Sequence, residues 1–267
     1  MATVAERLRK ALPARIDYQA ATASVVVDSP VIVTSDVHLP YTNERLFDQL
    51  YTAVKRHGAS DVWVIGDLFN LDAYSRFAEG LNSQVAGFKD ELRAAQAFLD
   101  ILFEVATRVR ITQGNHDVRI LKQNKMRFGA AEFFRMVYPK GGNYPGGVGT
   151  FTGPDGRTRQ LIVSDLPTIQ AEVFGEKWVF THPANYSLVP GKVARSLAAK
   201  WHANVGIGHT HCWQMSKDFS GKFWTLDLGG LFDVRYFDYV HEAPTTNPEW
   251  SNGFFVFDEG RVVPYPG

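Results

Sequence analysis

Four times in this chain an apolar run stops at a small polar cluster, and that repeated event constrains the fold more than composition does. Val31-Ile32-Val33 leads to Asp36-Val37-His38, and Val62-Trp63-Val64-Ile65 leads to Gly66-Asp67. Val109-Arg110-Ile111-Thr112 leads to Gly114-Asn115-His116-Asp117, and Ala203-Asn204-Val205-Gly206-Ile207 leads to Gly208-His209-Thr210-His211. An isolated His182 stands between the third cluster and the fourth. Short apolar runs bounded by turn residues read as buried strands, so each polar cluster closes a strand. Ligands of open α/β sheets gather beyond the carboxyl ends of strands, and the clusters are expected to converge on one crevice there. On an extended strand, side chains two apart share a face, which is the expected reason that Asp36 and His38 point the same way.

Stretches of helical spacing separate these runs. Leu46, Phe47, Leu50 and Val54 predict a helix over Asn43 to His57. Leu92, Ala95, Phe98, Leu99, Leu102 and Phe103 predict another over Lys89 to Thr107, and Val193, Leu197 and Trp201 a third. Strand and helix in alternation is the signature of a parallel sheet. After His211 the pattern changes to short strands at Trp213 to Met215, Phe223 to Leu228, Phe254 to Phe257 and Val262-Val263, which predicts a more antiparallel sheet. The residues thus give two sheets faced by helices in one domain over residues 31–267. Residues 1–30 form a prefix in which Val4, Leu8 and Leu12 predict a short helix packed on the body.

The clusters supply oxygen and nitrogen donors enough for two divalent metal ions, with one histidine left over for proton transfer. Asp36 and Asp67 follow apolar strands, where an unpaired carboxylate is costly, and coordination explains their presence. His57, His202 and His241 lie outside the clusters and read as ordinary surface or hydrogen-bonded residues. Formal net charge is zero over 267 residues, which excludes a protein that binds nucleic acid by blanketing it with positive charge. The single Cys212 permits no intrachain disulfide and fits a reducing compartment. No apolar run approaches the ~20 residues of a membrane span. A cytoplasmic location is the expectation.

Taken together, Asp36-Val37-His38, Gly66-Asp67, Gly114-Asn115-His116-Asp117, His182 and Gly208-His209-Thr210-His211 resemble the calcineurin-like metallophosphoesterase family, over about two thirds of the chain. The resemblance implies a four-layered α/β/β/α sandwich with two mixed sheets. It implies that Asp36, His38 and His211 hold one metal, that Asn115, His182 and His209 hold the other, and that Asp67 bridges both. Manganese is expected first, with iron, nickel, cobalt or zinc also accepted. His116 is the histidine left beside the scissile phosphate. Two divalent ions less two carboxylates and a bridging hydroxide leave about one positive charge, which attracts phosphate.

The expected reaction is hydrolysis of a phosphoester by a metal-bridging hydroxide, with His116 as general acid. Many members of that family carry a second aspartate three residues after the Gly-Asp pair, whereas this chain has Asn70. Asn70 is expected beside His116, as an acceptor without charge, with Asp72 as a substitute if the loop turns back. Asn70, Asn115 and Arg119 are the expected substrate contacts. The basic stretch Val118 to Val137, with Arg119, Lys122, Lys125, Arg127 and Arg135, reads as a solvated face or as a phosphate contact. Gly141 to Gly147 reads as a turn or lid, since no Lys-Ser/Thr follows its glycines. Tyr41, Phe69 and Tyr74 are expected to stack bases, which favours a phosphodiesterase acting on nucleotides or nucleic acids; the alternatives are a phosphomonoesterase and an inactive scaffold.

Overall fold

The computed structural model describes residues 24–75, 86–123, 129–237 and 250–267. In chain order its first half holds β1 (Val25–Val27), β2 (Val31–Thr34), α1 (Glu44–His57), β3 (Asp61–Ile65), α2 (Phe88–Val105), β4 (Arg108–Thr112), α3 (Arg119–Gln123) and α4 (Ala130–Val137). Then come β5 (Val148–Thr152), β6 (Thr158–Val163), β7 (Thr168–Val173), β8 (Glu176–Thr181), α5 (Lys192–Trp201), β9 (Asn204–Ile207), β10 (Trp213–Lys217), β11 (Trp224–Leu228), β12 (Gly253–Asp258) and β13 (Arg261–Pro266). Two mixed sheets result, of order β13-β12-β2-β3-β4-β6-β5 and β1-β7-β8-β9-β11-β10. The helical reading of Val4, Leu8 and Leu12 lies outside the described residues, as do Lys125, Arg127 and His241.

Alternation along the strands builds the layers. Val31 and Val33 face one way with Trp63 and Ile65, and meet Trp178, Phe180, Leu226 and Leu228 of the second sheet. Ile32, Val62 and Val64 face the other way, onto Leu46 and Leu50 of α1, Phe98 and Leu102 of α2, and Phe133 of α4. Val193, Ala194 and Ala198 of α5 cover Val205 and Ile207 on the outer face of the second sheet. The order is therefore helices, sheet, sheet, helix.

Helix α1 shows how local signals fix one layer. The Asn43 side chain accepts from Leu46 N at its start, and Gly58, in the left-handed region, ends it. Its buried stripe is Leu46, Leu50, Ala53 and Val54. Each buried leucine contributes roughly 2 kcal/mol, and Leu50→Ala is expected to cost about 2–5 kcal/mol.

Two expectations about the fold are corrected. The second sheet is not chiefly antiparallel, because α5 carries the chain across and lays β9 parallel to β8, and β11 returns parallel to β9. The boundary at residue 30 cuts through structure, since Val25–Val27 pairs with β7. The strands between Val148 and Thr181 had no reading in the sequence. The Gly141 to Gly147 segment is two short 3₁₀ turns around buried Tyr144, whose hydroxyl donates to the Tyr138 carbonyl. No described helix is long and apolar enough to cross a membrane.

Candidate metal centre

The parallel strands β2, β3 and β4 end on one side, and the loops that follow them are tied together by main-chain bonds. Asp36 N donates to Gly66 O, while Val37 N and His38 N both donate to Asp67 O. Strand β2 already ends at Thr34, and Asp36 and His38 both adopt left-handed backbone, with φ of 48° and 50°. Strand alternation is therefore not what aims them; two left-handed turns laid over the neighbouring loop do so. Asp67, His209 and His211 are left-handed too. Such conformations cost about 1–3 kcal/mol each and persist only where surrounding bonds over-determine them.

Two glycines make room for the ligands. A Cβ on Gly114 would meet Asp67 N at 2.2 Å, and one on Gly66 would meet the His182 ring at 2.4 Å. The glycines of both fragments are thus required by close approach.

Asp36, His38, Asp67 and His211 bring one donor atom each within 4.8 Å of one another, and Asp67, His182 and His209 form a second such group. His38 and His211 face each other, Nε2 to Nε2, at 3.0 Å. His211 Nε2 also lies 3.2 Å from Asp36 Oδ1. In the second group His182 Nε2 stands 3.2 Å from Asp67 Oδ2 and 3.0 Å from Asn115 Oδ1. All seven expected ligands are therefore brought together around Asp67.

The donor chemistry fits divalent cations. His38 Nδ1 donates to Asn70 Oδ1 and His182 Nδ1 donates to Ile65 O, so both rings turn Nε2 inward. Asp67 Oδ2 is buried without a hydrogen-bond partner. Nitrogen and oxygen atoms that can each bind a cation or share a proton thus converge. Burial opposes charge on His182, yet the Asp67 carboxylate outweighs it and pushes the imidazole up to about 10. Burial likewise favours the neutral Asp36 acid, but the His211 and His38 imidazoles, 3.2 and 3.7 Å away, hold its carboxyl well below the usual range. Both shifts mark a pocket that demands positive charge between its carboxylates.

The remaining polar groups hold this frame. Asp67 Oδ1 accepts from His116 N at 2.8 Å, and Asp36 accepts from His209 N. Asp117 accepts from Asp67 N, Gly114 N and Phe69 N, and so laces the second and third loops together. Burial and the nearby Asp67 charge push its carboxyl up to about 6. Reasoning from sequence gave Asp117 no role, although it closes the Gly-Asn-His-Asp fragment. The sequence also gave no sign of the aromatic wall, in which Trp250 and Phe232 lie 4.4 and 4.7 Å from the His211 ring and Phe237 lies 5.3 Å from His38.

Asn70 does not sit as expected. Its side chain is fully buried, with Oδ1 on His38 and Nδ2 on Asp72; its main-chain carbonyl is what accepts from His116 Nδ1, at 2.9 Å. His116 Nε2 meets Arg119 Nη2 at 2.8 Å. Burial is the first cause that lowers the His116 imidazole below its ordinary value, and the Arg119 charge adds to it. Of the aromatics expected to stack bases, Phe69 is wholly buried against Phe133 and cannot do so. Tyr41 stacks on exposed Tyr236, and Tyr74 stands edge-on to Phe88. Arg135 is spent on the Asn143 carbonyl.

A family model described as calcineurin-like phosphoesterase matches residues 29–219. No curated protein sequence matches the chain. Similar solved structures include a novel archaeal phosphodiesterase, at 15% identity over 89% of this chain and 99% of that one, with a TM-score of 0.43. Vps29 from Entamoeba histolytica complexed with zinc is 13% identical over 89% of this chain and 98% of its own, with a TM-score of 0.40. The Pseudomonas putida nuclease MPE is 14% identical over 88% and 86%, with a TM-score of 0.39.

Proposed function

The chain belongs to the calcineurin-like phosphoesterase family and is a metal-dependent phosphoester hydrolase, and from that premise we propose that it cleaves phosphodiesters of nucleotides or nucleic acids. The observation that carries this reading is the pair of ligand groups that share Asp67. Asp36, His38 and His211 would hold one divalent ion, Asn115, His182 and His209 the other, and Asp67 both. The lack of thiolates in the set suits manganese first, and iron, nickel, cobalt or zinc as well. When bound, such ions lower the pKa of water and offset charge on phosphate oxygens.

Charge favours a diester over a monoester. Among the described residues Arg119 is the guanidinium that reaches the cluster, and Asp72 offsets it at 3.0 Å. The pair leaves the site's net charge at about one, which matches the single negative charge that each phosphorus of a diester linkage carries, against about two on the phosphorus of a monoester. His116 is assigned to the leaving oxygen. Its Nδ1–H is fixed on the Asn70 carbonyl, and Nε2 can deliver a proton there after exchanging Arg119 for the substrate.

Hydrolysis of bis(p-nitrophenyl) phosphate and p-nitrophenyl phosphate, measured after chelation and again after manganese is returned, tests the reading. Activity is expected to vanish and return, with higher kcat/KM on the diester. Full activity in metal-free protein, or a preference for the monoester, rejects it.

A further inference from the structure

Arg119 opens α3 and is held from two sides. Nη1 donates to the Asn70 carbonyl at 2.9 Å and to Asp72 Oδ1 at 3.0 Å, while Nη2 points at His116 Nε2 from 2.8 Å. Asp72 is itself fixed, since its other oxygen accepts from Asn70 Nδ2 at 2.5 Å. The turn that carries it is fixed from below, where both Glu91 oxygens accept from Leu71 N at 3.0 and 2.9 Å. A carboxylate thus does act on His116, but it stands at position 72 and works through a guanidinium.

The hydrogen bonds decide what this face of the site presents. His116 Nδ1 faces a carbonyl oxygen, so it carries the hydrogen. Nε2 then accepts from Arg119, and the group that His116 holds beside the metal ligands is a positive charge. A guanidinium, with a pKa above about 12, does not surrender a proton at neutral pH. It stabilises an oxyanion by charge and by its planar fork, for which Nε and the second Nη2 hydrogen are unspent among the described residues. An alkoxide leaving group needs a proton. A departing phosphate needs charge compensation instead.

We propose that Arg119, positioned by Asp72, selects substrates whose leaving group carries its own negative charge, so that the linkage cleaved is the phosphoanhydride of a nucleoside diphosphate derivative. This rests on the diesterase reading and narrows it. Water forms the new bond to one phosphorus, and the bond from that phosphorus to the bridging oxygen breaks. The electron pair leaves with the second phosphoryl group, two phosphate monoesters result, and two protons pass to solvent. For this linkage Arg119 replaces, on the leaving side, the proton that His116 would deliver to an alkoxide, and Asp72 is its positioning residue.

The test compares kcat/KM on ADP-ribose and on bis(p-nitrophenyl) phosphate for the manganese-loaded wild type, Arg119→Ala, Arg119→Lys and Asp72→Asn, with metal content measured for each. Arg119→Ala is expected to lose about 100-fold on ADP-ribose and about tenfold on the nitrophenyl diester. Arg119→Lys and Asp72→Asn should shift the ratio of the two less, in the same direction. Binding gives a readout independent of turnover. The wild type should hold α,β-methylene-ADP more tightly than AMP, and Arg119→Ala should erase that difference. An unchanged substrate ratio, or a wild type that cleaves the nitrophenyl diester and not ADP-ribose, overturns this proposal alone. Inactivity on both substrates overturns the diesterase reading with it.

Discussion

The Nδ1–H of His38 donates to Asn70 Oδ1 at 3.0 Å, which turns the ring's Nε2 toward His211 and the two carboxylates. The same amide donates Nδ2 to Asp72. Asn70 is thus the partner of a proposed metal ligand, and an amide serves where a carboxylate cannot, because one end must accept and the other donate.

Removal of this partner should weaken metal binding. Groups that orient a ligating histidine typically account for a 10–100-fold change in affinity, so Asn70→Ala is expected to lose about that much. Asn70→Asp should keep the acceptor for His38 while repelling Asp72, and so should disturb Arg119 more than the metals. Competition with a chromophoric chelator measures the affinities. Wild-type affinity in Asn70→Ala would show that His38 is oriented by other contacts.

Much of this frame was legible in the sequence. Val31-Ile32-Val33, Val62 to Ile65 and Val109 to Thr112 announce themselves because central parallel strands are apolar on both faces, and the polar residues after them break that pattern sharply. Strand β5 is an edge strand and β6 and β7 stand next to edges, and along these and β8 Thr, Arg, Gln, Glu and Lys mix with apolar residues and blur the signal. Which residues converge was legible from the motifs, but how they are aimed was not, since left-handed backbone at Asp36, His38 and Asp67 depends on bonds between loops distant in sequence. Glu91 was hidden for the same reason. In sequence it sits among Lys89 and Asp90 as one more helix charge, yet only 1% of it is exposed.

Because Asp67 belongs to both ligand groups, its loss should differ in kind from the loss of a ligand in one. Elemental analysis after dialysis is expected to find about two ions per chain in the wild type and about one in His209→Ala. Asp67→Ala should hold less than either. Equal occupancy in the two variants would show that the sites do not share this carboxylate.

Gly114→Ala addresses the close approach of two loops. The added methyl would crowd Asp67 Oδ1 and Asp67 N far inside contact distance, and neither backbone can yield without breaking its N–H bond to the Asp117 carboxylate. Overpacking of this sort costs about 1–3 kcal/mol or more. The variant should lose stability and metal together, as read by thermal melting and elemental analysis. A stable Gly114→Ala protein with normal metal content would mean that these loops stand further apart.

Glu91 gives the fold a pH dependence with a definite sign. Burial is the chief cause that pushes its carboxyl from 4.5 up to about 8; Asp72 adds to the shift, and the bond from Leu71 N opposes it. Between 4.5 and about 8 the folded chain therefore keeps a proton that the unfolded chain has released. The stability this provides is complete below 4.5 and is lost as pH rises through about 8. Glu91→Gln is neutral throughout and can still accept from Leu71 N, so it should remove this dependence while leaving the turn in place. With chelator present to eliminate the metals' own pH dependence, wild-type Tm should fall between pH values of about 5.5 and about 8.5, and the fall should shrink by a few degrees in the variant. Identical slopes of Tm against pH in the two proteins would show that Glu91 is ionised in the native state across this range, and that the Asn70 to Asp72 turn rests on a charged carboxylate.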